Sequence, residues 1–239
     1  MTLEERISQR FQQACVRYRL TVDGDRILVG LSGGKDSLCL LELLARRSRI
    51  RHPQFSVEAV HVRMENIRYE SSTDYLERFC RALGVPLHIV TTRFGEPAEG
   101  QKPKPACFLC SWMRRKQIFN LAQQLGCNKI AFGHHQDDLI HTALMNLLFQ
   151  GHFATMPARL QLRKMPLTII RPLCLERESD IEAFALMRGY EQQVKRCPHE
   201  HETNRTMARH LFEQAERLNA EARHSIWGAL ESEGKLIEE

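Results

Sequence analysis

Ile27-Leu28-Val29-Gly30-Leu31 runs directly into Ser32-Gly33-Gly34-Lys35-Asp36-Ser37. The five-residue apolar run opens on a β-branched residue and follows the turn Asp23-Gly24-Asp25. That is the pattern of a strand buried on both faces. After it, Leu38, Leu41, Leu44 and Ala45 recur at helical spacing. Between strand and helix, paired glycines let the backbone approach a ligand closely and turn its N–H groups inward. The helix start adds the positive end of its dipole. With the hydroxyls of Ser32 and Ser37 and the ammonium of Lys35, the turn reads as an anion cradle. The Walker loop needs Gly-x-x-x-x-Gly-Lys-Ser/Thr, whereas Asp36 follows the lysine here, and the dinucleotide fingerprint is absent too. An ordinary strand-to-helix turn accounts for the glycines alone, but not for all six residues together.

The strand–helix alternation continues outward from this turn. Strand-like runs lie at Val57 to Val62, Leu87 to Thr91, Lys129 to Phe132 and Leu167 to Ile170. Helical stripes lie at Leu3 to Leu20, Tyr75 to Leu83, Ile118 to Leu125, Leu139 to Phe149 and Ile181 to Met187, with a charged helix or helix pair over Thr203 to Trp227. Alternation of this kind predicts an α/β fold, a parallel sheet with helices on both faces. Ligands of such sheets bind beyond the C-terminal ends of the strands. The expected division is an N-terminal helix (1–22), a core domain (23–190) and a C-terminal helical segment (191–239).

At 239 residues, 43% of them hydrophobic, the chain suits one α/β domain with a modest appendage and excludes disorder. No run of about 18 apolar residues predicts a membrane span. Met1-Thr2-Leu3-Glu4-Glu5-Arg6 carries two acids and no apolar stretch, unlike a signal peptide. A cytoplasmic protein without a membrane partner is expected. Eight cysteines in such a compartment read as free thiols with room for a metal or redox site. The net charge of +5 permits a nucleic-acid partner without demanding one. Lys102, Lys104, Arg114, Arg115 and Lys116 form the basic group best placed for RNA, although such groups are commonly solvated surface.

The turn after the fourth strand is Gly133-His134-His135-Gln136-Asp137-Asp138. Asp137 and Asp138 could hold Mg²⁺ against a pyrophosphate, or could simply cap their helix and suit its dipole. Cys107-Phe108-Leu109-Cys110 stands at a helix start, where thiols serve as a redox pair or as two metal ligands. A zinc site would draw two more ligands from Cys197 with His199 or His201. Cys15, Cys39, Cys80, Cys127 and Cys174 fall in apolar or strand contexts and read as buried thiols. Cys197 sits in the polar stretch Lys195-Arg196-Cys197-Pro198-His199.

Ser32 to Ser37 resembles the PP-loop of the ATP pyrophosphatases. The resemblance implies a Rossmann-like adenine nucleotide α-hydrolase fold with a five-stranded sheet. It also implies that the loop grips the β,γ-pyrophosphate of ATP while a nucleophile attacks the α-phosphorus, releasing AMP and pyrophosphate. On that likeness Lys35, Asp36 and Asp137 are catalytic. Ser32, Gly33, Gly34, Lys35, Asp36, Ser37, His61, Gly133 and His134 contact the nucleotide, with adenine near Val60-His61-Val62. Gly133-His134-His135-x-Asp137-Asp138 resembles the signature of the PP-loop enzymes that modify tRNA. Cys107-x-x-Cys110-Ser111-x-x-Arg114-Arg115, Arg171-Pro172-Leu173 and one distant cysteine are similar to the tRNA thiocytidine synthetases, over about Ile27 to Met187. That implies a [4Fe–4S] cluster on Cys107, Cys110 and Cys197, and 2-thiolation of an anticodon-loop cytidine through adenylation of its oxygen. The implied partners are tRNA, a sulfur donor (a cysteine desulfurase or free sulfide), a reductant and a second copy of the chain. Two other readings are a lysidine-synthetase-like ligase and a nucleotide- and RNA-binding protein with structural zinc.

Overall fold

The computed structural model describes residues 1–95, 105–196 and 204–239; Lys102, Lys104, Cys197, His199 and His201 lie outside them. In chain order the elements open with α1 (Leu3–Arg17), β1 (Arg26–Gly30), α2 (Lys35–Arg47), β2 (Ser56–Met64), β3 (Arg68–Tyr69) and α3 (Asp74–Ala82). Next come β4 (Leu87–Thr92), α4 (Ala106–Gln124), β5 (Lys129–Ala131), α5 (Gln136–Gln150), β6 (Arg159–Gln161) and β7 (Thr168–Ile170). The chain ends with α6 (Glu178–Arg188), β8 (Lys195–Arg196), α7 (Asn204–Leu218), α8 (Ala222–Ser232) and β9 (Ile237–Glu238). They form two compact units, one of Val22–Phe132 with Arg188–Glu200, the other of Met1–Thr21, Gly133–Met187 and His201–Glu239.

The first unit carries four parallel strands in the order β4-β2-β1-β5. Val29 lies opposite Ala59 on one side and Ala131 on the other. Ile27, Leu28 and Val29 are fully buried, as a central parallel strand requires. Helix α2 packs on β1 and β2, and α4 packs on β2, β4 and β5. At the base of this sheet Asp25 is buried, and its carboxylate accepts from Lys129 Nζ at 2.7 Å and Asn128 Nδ2 at 2.9 Å.

In the second unit, α1 starts on a capping box. Thr2 Oγ1 accepts from the Glu5 amide at 3.2 Å and Glu5 Oε2 accepts from the Thr2 amide at 2.7 Å. Its Ile7, Phe11, Ala14 and Cys15 are buried on one face. Helices α5, α7 and α8 pack on one another. Strand β6 pairs antiparallel with β7 and parallel with β9.

All five strands expected from the sequence are present, within about two residues of their expected ends. The expectation of only five, all parallel, is corrected. In the second unit β6 and β9 join β7, with β6 antiparallel to it, and in the first unit β3 and β8 form a separate two-stranded ladder. These four run two or three residues each, too short to show alternation. Helix α4 begins twelve residues before Ile118, because its early turns face solvent and carry no apolar stripe. The five cysteines expected as core thiols are all buried, while Cys107 is exposed and Cys110 half-buried.

Candidate functional site

The phosphate loop leaves β1 and enters α2 at Lys35. Gly33 has φ +83°, a conformation that side-chain-bearing residues rarely adopt. Within the loop, Ser37 Oγ accepts from the Gly33 amide at 3.1 Å and donates to the Gly34 carbonyl at 2.9 Å. Ser32 Oγ accepts from the Gly34 amide at 3.3 Å. The Lys35 amide, first N–H of the helix, donates to Gln192 Oε1 at 3.3 Å. Lys35 Nζ stands 3.4 Å from Asp36 Oδ1. The amides of three successive residues, Gly33, Gly34 and Lys35, are therefore taken up by neutral oxygens of two hydroxyls and one carboxamide.

His61, on β2, is 2% exposed, with Nδ1 2.8 Å from the Leu31 carbonyl. Burial, aided by Arg114 and Arg63, pushes the imidazole below its usual value, so it is neutral and Nδ1–H donates. Its Nε2 is a buried acceptor with no partner among the described residues, an opening for a ligand donor. The ring thus tethers the residue that precedes the loop. Its edge faces Tyr69, with centroids 6.4 Å apart. Arg114 Nη2 donates to Tyr69 Oη at 2.9 Å, so Arg114 turns into this cluster. Arg115 and Lys116 stay exposed on α4, with Lys116 Nζ 5.3 Å from the centre of the Trp112 ring.

Cys107 and Cys110 occupy the first turns of α4, three positions apart, the first exposed and the second half-buried. Two thiols one helical turn apart can bind neighbouring metal centres. No group of three or more His, Cys, Asp or Glu side chains is placed to hold a metal among the described residues.

The acidic turn lies in the second unit. Asp138 Oδ2 accepts from the His135 amide at 3.1 Å, which caps α5, and Arg205 stands 3.5 Å from Oδ1. Asp137 is more tightly held. Arg223 Nη2 donates to its Oδ1 at 2.7 Å, and the Glu178 amide donates to its Oδ2 at 2.8 Å. Burial pushes the Asp137 carboxyl up, but the bonds from His135 and Arg223 outweigh it and hold the group well below the usual carboxylate range. Arg223 is itself gripped by Glu216 Oε1 at 2.9 Å and lies 4.8 Å over the Phe212 ring. Asp137 thus has both oxygens in short hydrogen bonds, whereas Asp138 has one, from the His135 amide; a Mg²⁺ ion needs only one or two carboxylates beside substrate phosphates. His134 Nδ1 accepts from Arg171 Nε at 3.3 Å, and Arg171 also donates to the Pro157 carbonyl.

Sequence reasoning missed Gln192, Gln193, Tyr69 and Arg223. None sits in a motif, and the contacts of Gln192, Gln193 and Arg223, like that of Tyr69 with Arg114, span 45 to 157 positions.

A protein-family model described as a PP-loop domain matches residues 3–215. Curated proteins similar to this chain are named tRNA-cytidine(32) 2-sulfurtransferase. That of Alkalilimnicola ehrlichii is 36% identical over 77% of this chain and 59% of its own length. That of an Anaeromyxobacter species is 37% identical over 77% of this chain and 60% of its own. The chain spans about three fifths of the length of these two relatives. Among solved structures, the U34-tRNA thiolase NcsA from Methanococcus maripaludis, with its [4Fe-4S] cluster, matches with a TM-score of 0.76. The match covers 96% of this chain and 78% of NcsA at 22% identity, which shows a shared fold.

Proposed function

Because the chain belongs to the PP-loop domain family, we propose that it is an ATP-dependent tRNA sulfurtransferase that makes 2-thiocytidine, working in the cytoplasm. One observation carries the reading beyond nucleotide binding. Of the seven described cysteines, only Cys107 and Cys110 are not buried, and they sit together at the start of α4. A ligase or a nucleotide-binding module would use such a pair only as structural or zinc-bound thiols. The curated relatives near 36% identity support the same substrate class.

In this reading the Gly33, Gly34 and Lys35 amides, the Ser32 and Ser37 hydroxyls and Lys35 Nζ hold the β,γ-phosphates of ATP. They stabilise charge on the departing pyrophosphate. The cytidine C2 oxygen attacks the α-phosphorus; the bond from that phosphorus to the bridging oxygen breaks and pyrophosphate leaves. The adenylated oxygen then departs as AMP when sulfur takes its place. Asp138 is the carboxylate for Mg²⁺, and Asp137 holds the start of α5 in place. His61 offers Nε2 as an acceptor to the nucleotide. Cys107, Cys110 and Cys197 would hold a [4Fe–4S] cluster, which supplies an iron without a protein ligand for sulfur delivery. Arg115 and Lys116, with Lys102 and Lys104, meet the tRNA backbone. A sulfur donor, a reductant and a second copy of the chain complete the partners.

Anaerobic purification tests this directly. A brown protein with broad absorption near ~400 nm is expected, bleached in Cys107→Ala. A colourless protein carrying zinc would remove the sulfurtransferase reading. Nucleoside mass spectrometry of tRNA from a deletion strain should show 2-thiocytidine missing; loss of a different nucleoside instead would move the substrate.

A further inference from the structure

The phosphate cradle is covered by a stretch of its own unit. Beyond Tyr190 the chain crosses the loop as a strap. The Gln193 amide donates to the Gly33 carbonyl at 2.9 Å, and a Cβ added at Gly33 would lie 2.2 Å from Gln193 Cγ. The strap is anchored on its far side. Gln193 Nε2 donates to the Ser72 carbonyl at 2.5 Å, Val194 N to Ser71 Oγ at 2.8 Å, and Glu70 N to the Val194 carbonyl at 2.9 Å. The ladder of Tyr69 with Lys195 and Arg68 with Arg196 follows at once.

One strap contact falls on the group a phosphate needs. The Lys35 amide is the first N–H of α2, the donor that the helix dipole makes most attractive to an anion. Gln192 Oε1 accepts its hydrogen bond. Gln192 is otherwise exposed, and the contact is long. A neutral carboxamide oxygen at that place is a weak stand-in for a charged phosphate oxygen, since hydrogen bonds to charged groups are roughly twice as strong as neutral ones.

Resting on the reading that the loop takes ATP, we propose that Gln192 is a phosphate surrogate: its side-chain oxygen takes the Lys35 amide, and the nucleotide's phosphates displace it and loosen the 191–194 strap. Phosphate binding and strap docking then compete for one donor. Cys197 lies three positions beyond Val194 in sequence, so the chain leading to that cysteine is tied to the cradle by the same contacts.

The test uses the full chain, with ATP, inorganic pyrophosphate and adenosine as separate probes. Amide exchange is followed in peptides covering 68–72 and 190–196. ATP and pyrophosphate should each speed exchange there, while adenosine, lacking phosphates, should not. Binding titrations should show Gln192→Ala tightening pyrophosphate by about three- to tenfold, the worth of one neutral hydrogen bond removed from the competitor. Gln192→Glu, a charged surrogate, should weaken it. If Gln192→Ala weakens pyrophosphate instead, Gln192 is a direct phosphate ligand and the surrogate idea falls. If ATP binds while exchange in 190–196 is unchanged, the strap does not answer to the nucleotide. If neither ATP nor pyrophosphate binds the wild-type chain, the ATP reading itself fails and takes this inference with it. Those outcomes separate the two claims.

Discussion

Two turns in this molecule begin a helix with motif residues, and they are held in opposite ways. The phosphate loop is fixed by neutral contacts: hydroxyls and a carboxamide take up the amides of Gly33, Gly34 and Lys35. The acidic turn is fixed by charge: Asp137 is locked to Arg223, and Arg223 to Glu216. Neutral contacts of about 1 kcal/mol can be exchanged for a ligand's without great cost. A buried ion pair cannot, because removing one partner strands the other. The contrast marks the first turn as receptive and Asp137 as structural support.

Breaking the ion pair should give the largest effect. Arg223→Ala should lower stability by roughly 3–5 kcal/mol, read by chemical denaturation, because both partners are nearly buried. The Asp137 carboxyl titrates below its unfolded value, so its contribution is present above the ordinary carboxylate range and lost as pH falls. Wild type should therefore lose stability in acid more steeply than Arg223→Ala. Equal stability of the two proteins at pH 7 would show that charge does not lock this turn.

A second test concerns Glu176, which is fully buried in the second unit. Burial pushes its carboxyl up to about 8, against the pull of Arg10 at 3.7 Å. The folded state then holds the proton more tightly than the unfolded chain, so stability falls as pH rises from about 4.5 to about 8. The decline should approach roughly 1.4 kcal/mol per pH unit inside that window and flatten in Glu176→Gln. A wild-type profile parallel to the variant's would place the charge elsewhere.

The receptive turn should respond through its ligand. Lys35→Ala should weaken ATP by about 10- to 100-fold while leaving the melting temperature nearly unchanged, since a charged contact to phosphate is made only in the complex. A large drop in melting temperature would mean that Lys35 supports the fold. The smallest effect is expected from Ser37→Ala, which removes bonds to Gly33 and Gly34 and should cost about 1 kcal/mol in unfolding experiments.

What the sequence disclosed follows the same division. Strands β1, β2, β4, β5 and β7 were legible because continuous apolar, β-branched runs leave few alternatives to burial. The loop was legible because Gly33 must take a positive φ and only a few residue types make a phosphate cradle. Arg223 and Gln192 were not. They are polar residues in polar stretches, and they meet their partners across 86 and 157 positions. The inward turn of Arg114 was equally hidden: in sequence it is one more member of a basic run, and only the Tyr69 hydroxyl separates it from Arg115 and Lys116. Local pattern reports which face of an element is buried; it is silent on which distant side chain completes a turn.

The strap also has an order in time. Lys35 leaves the ribosome 157 residues ahead of Gln192. At about 5–20 residues per second, the loop exists for roughly 8–30 s before its cover is made. Strand β5, which flanks β1, is also made within that interval, so the sheet beneath the loop precedes the strap above it. The cover is thus a late addition to the loop, made last and, as the weaker partner of the Lys35 amide, the first contact to give way to phosphate.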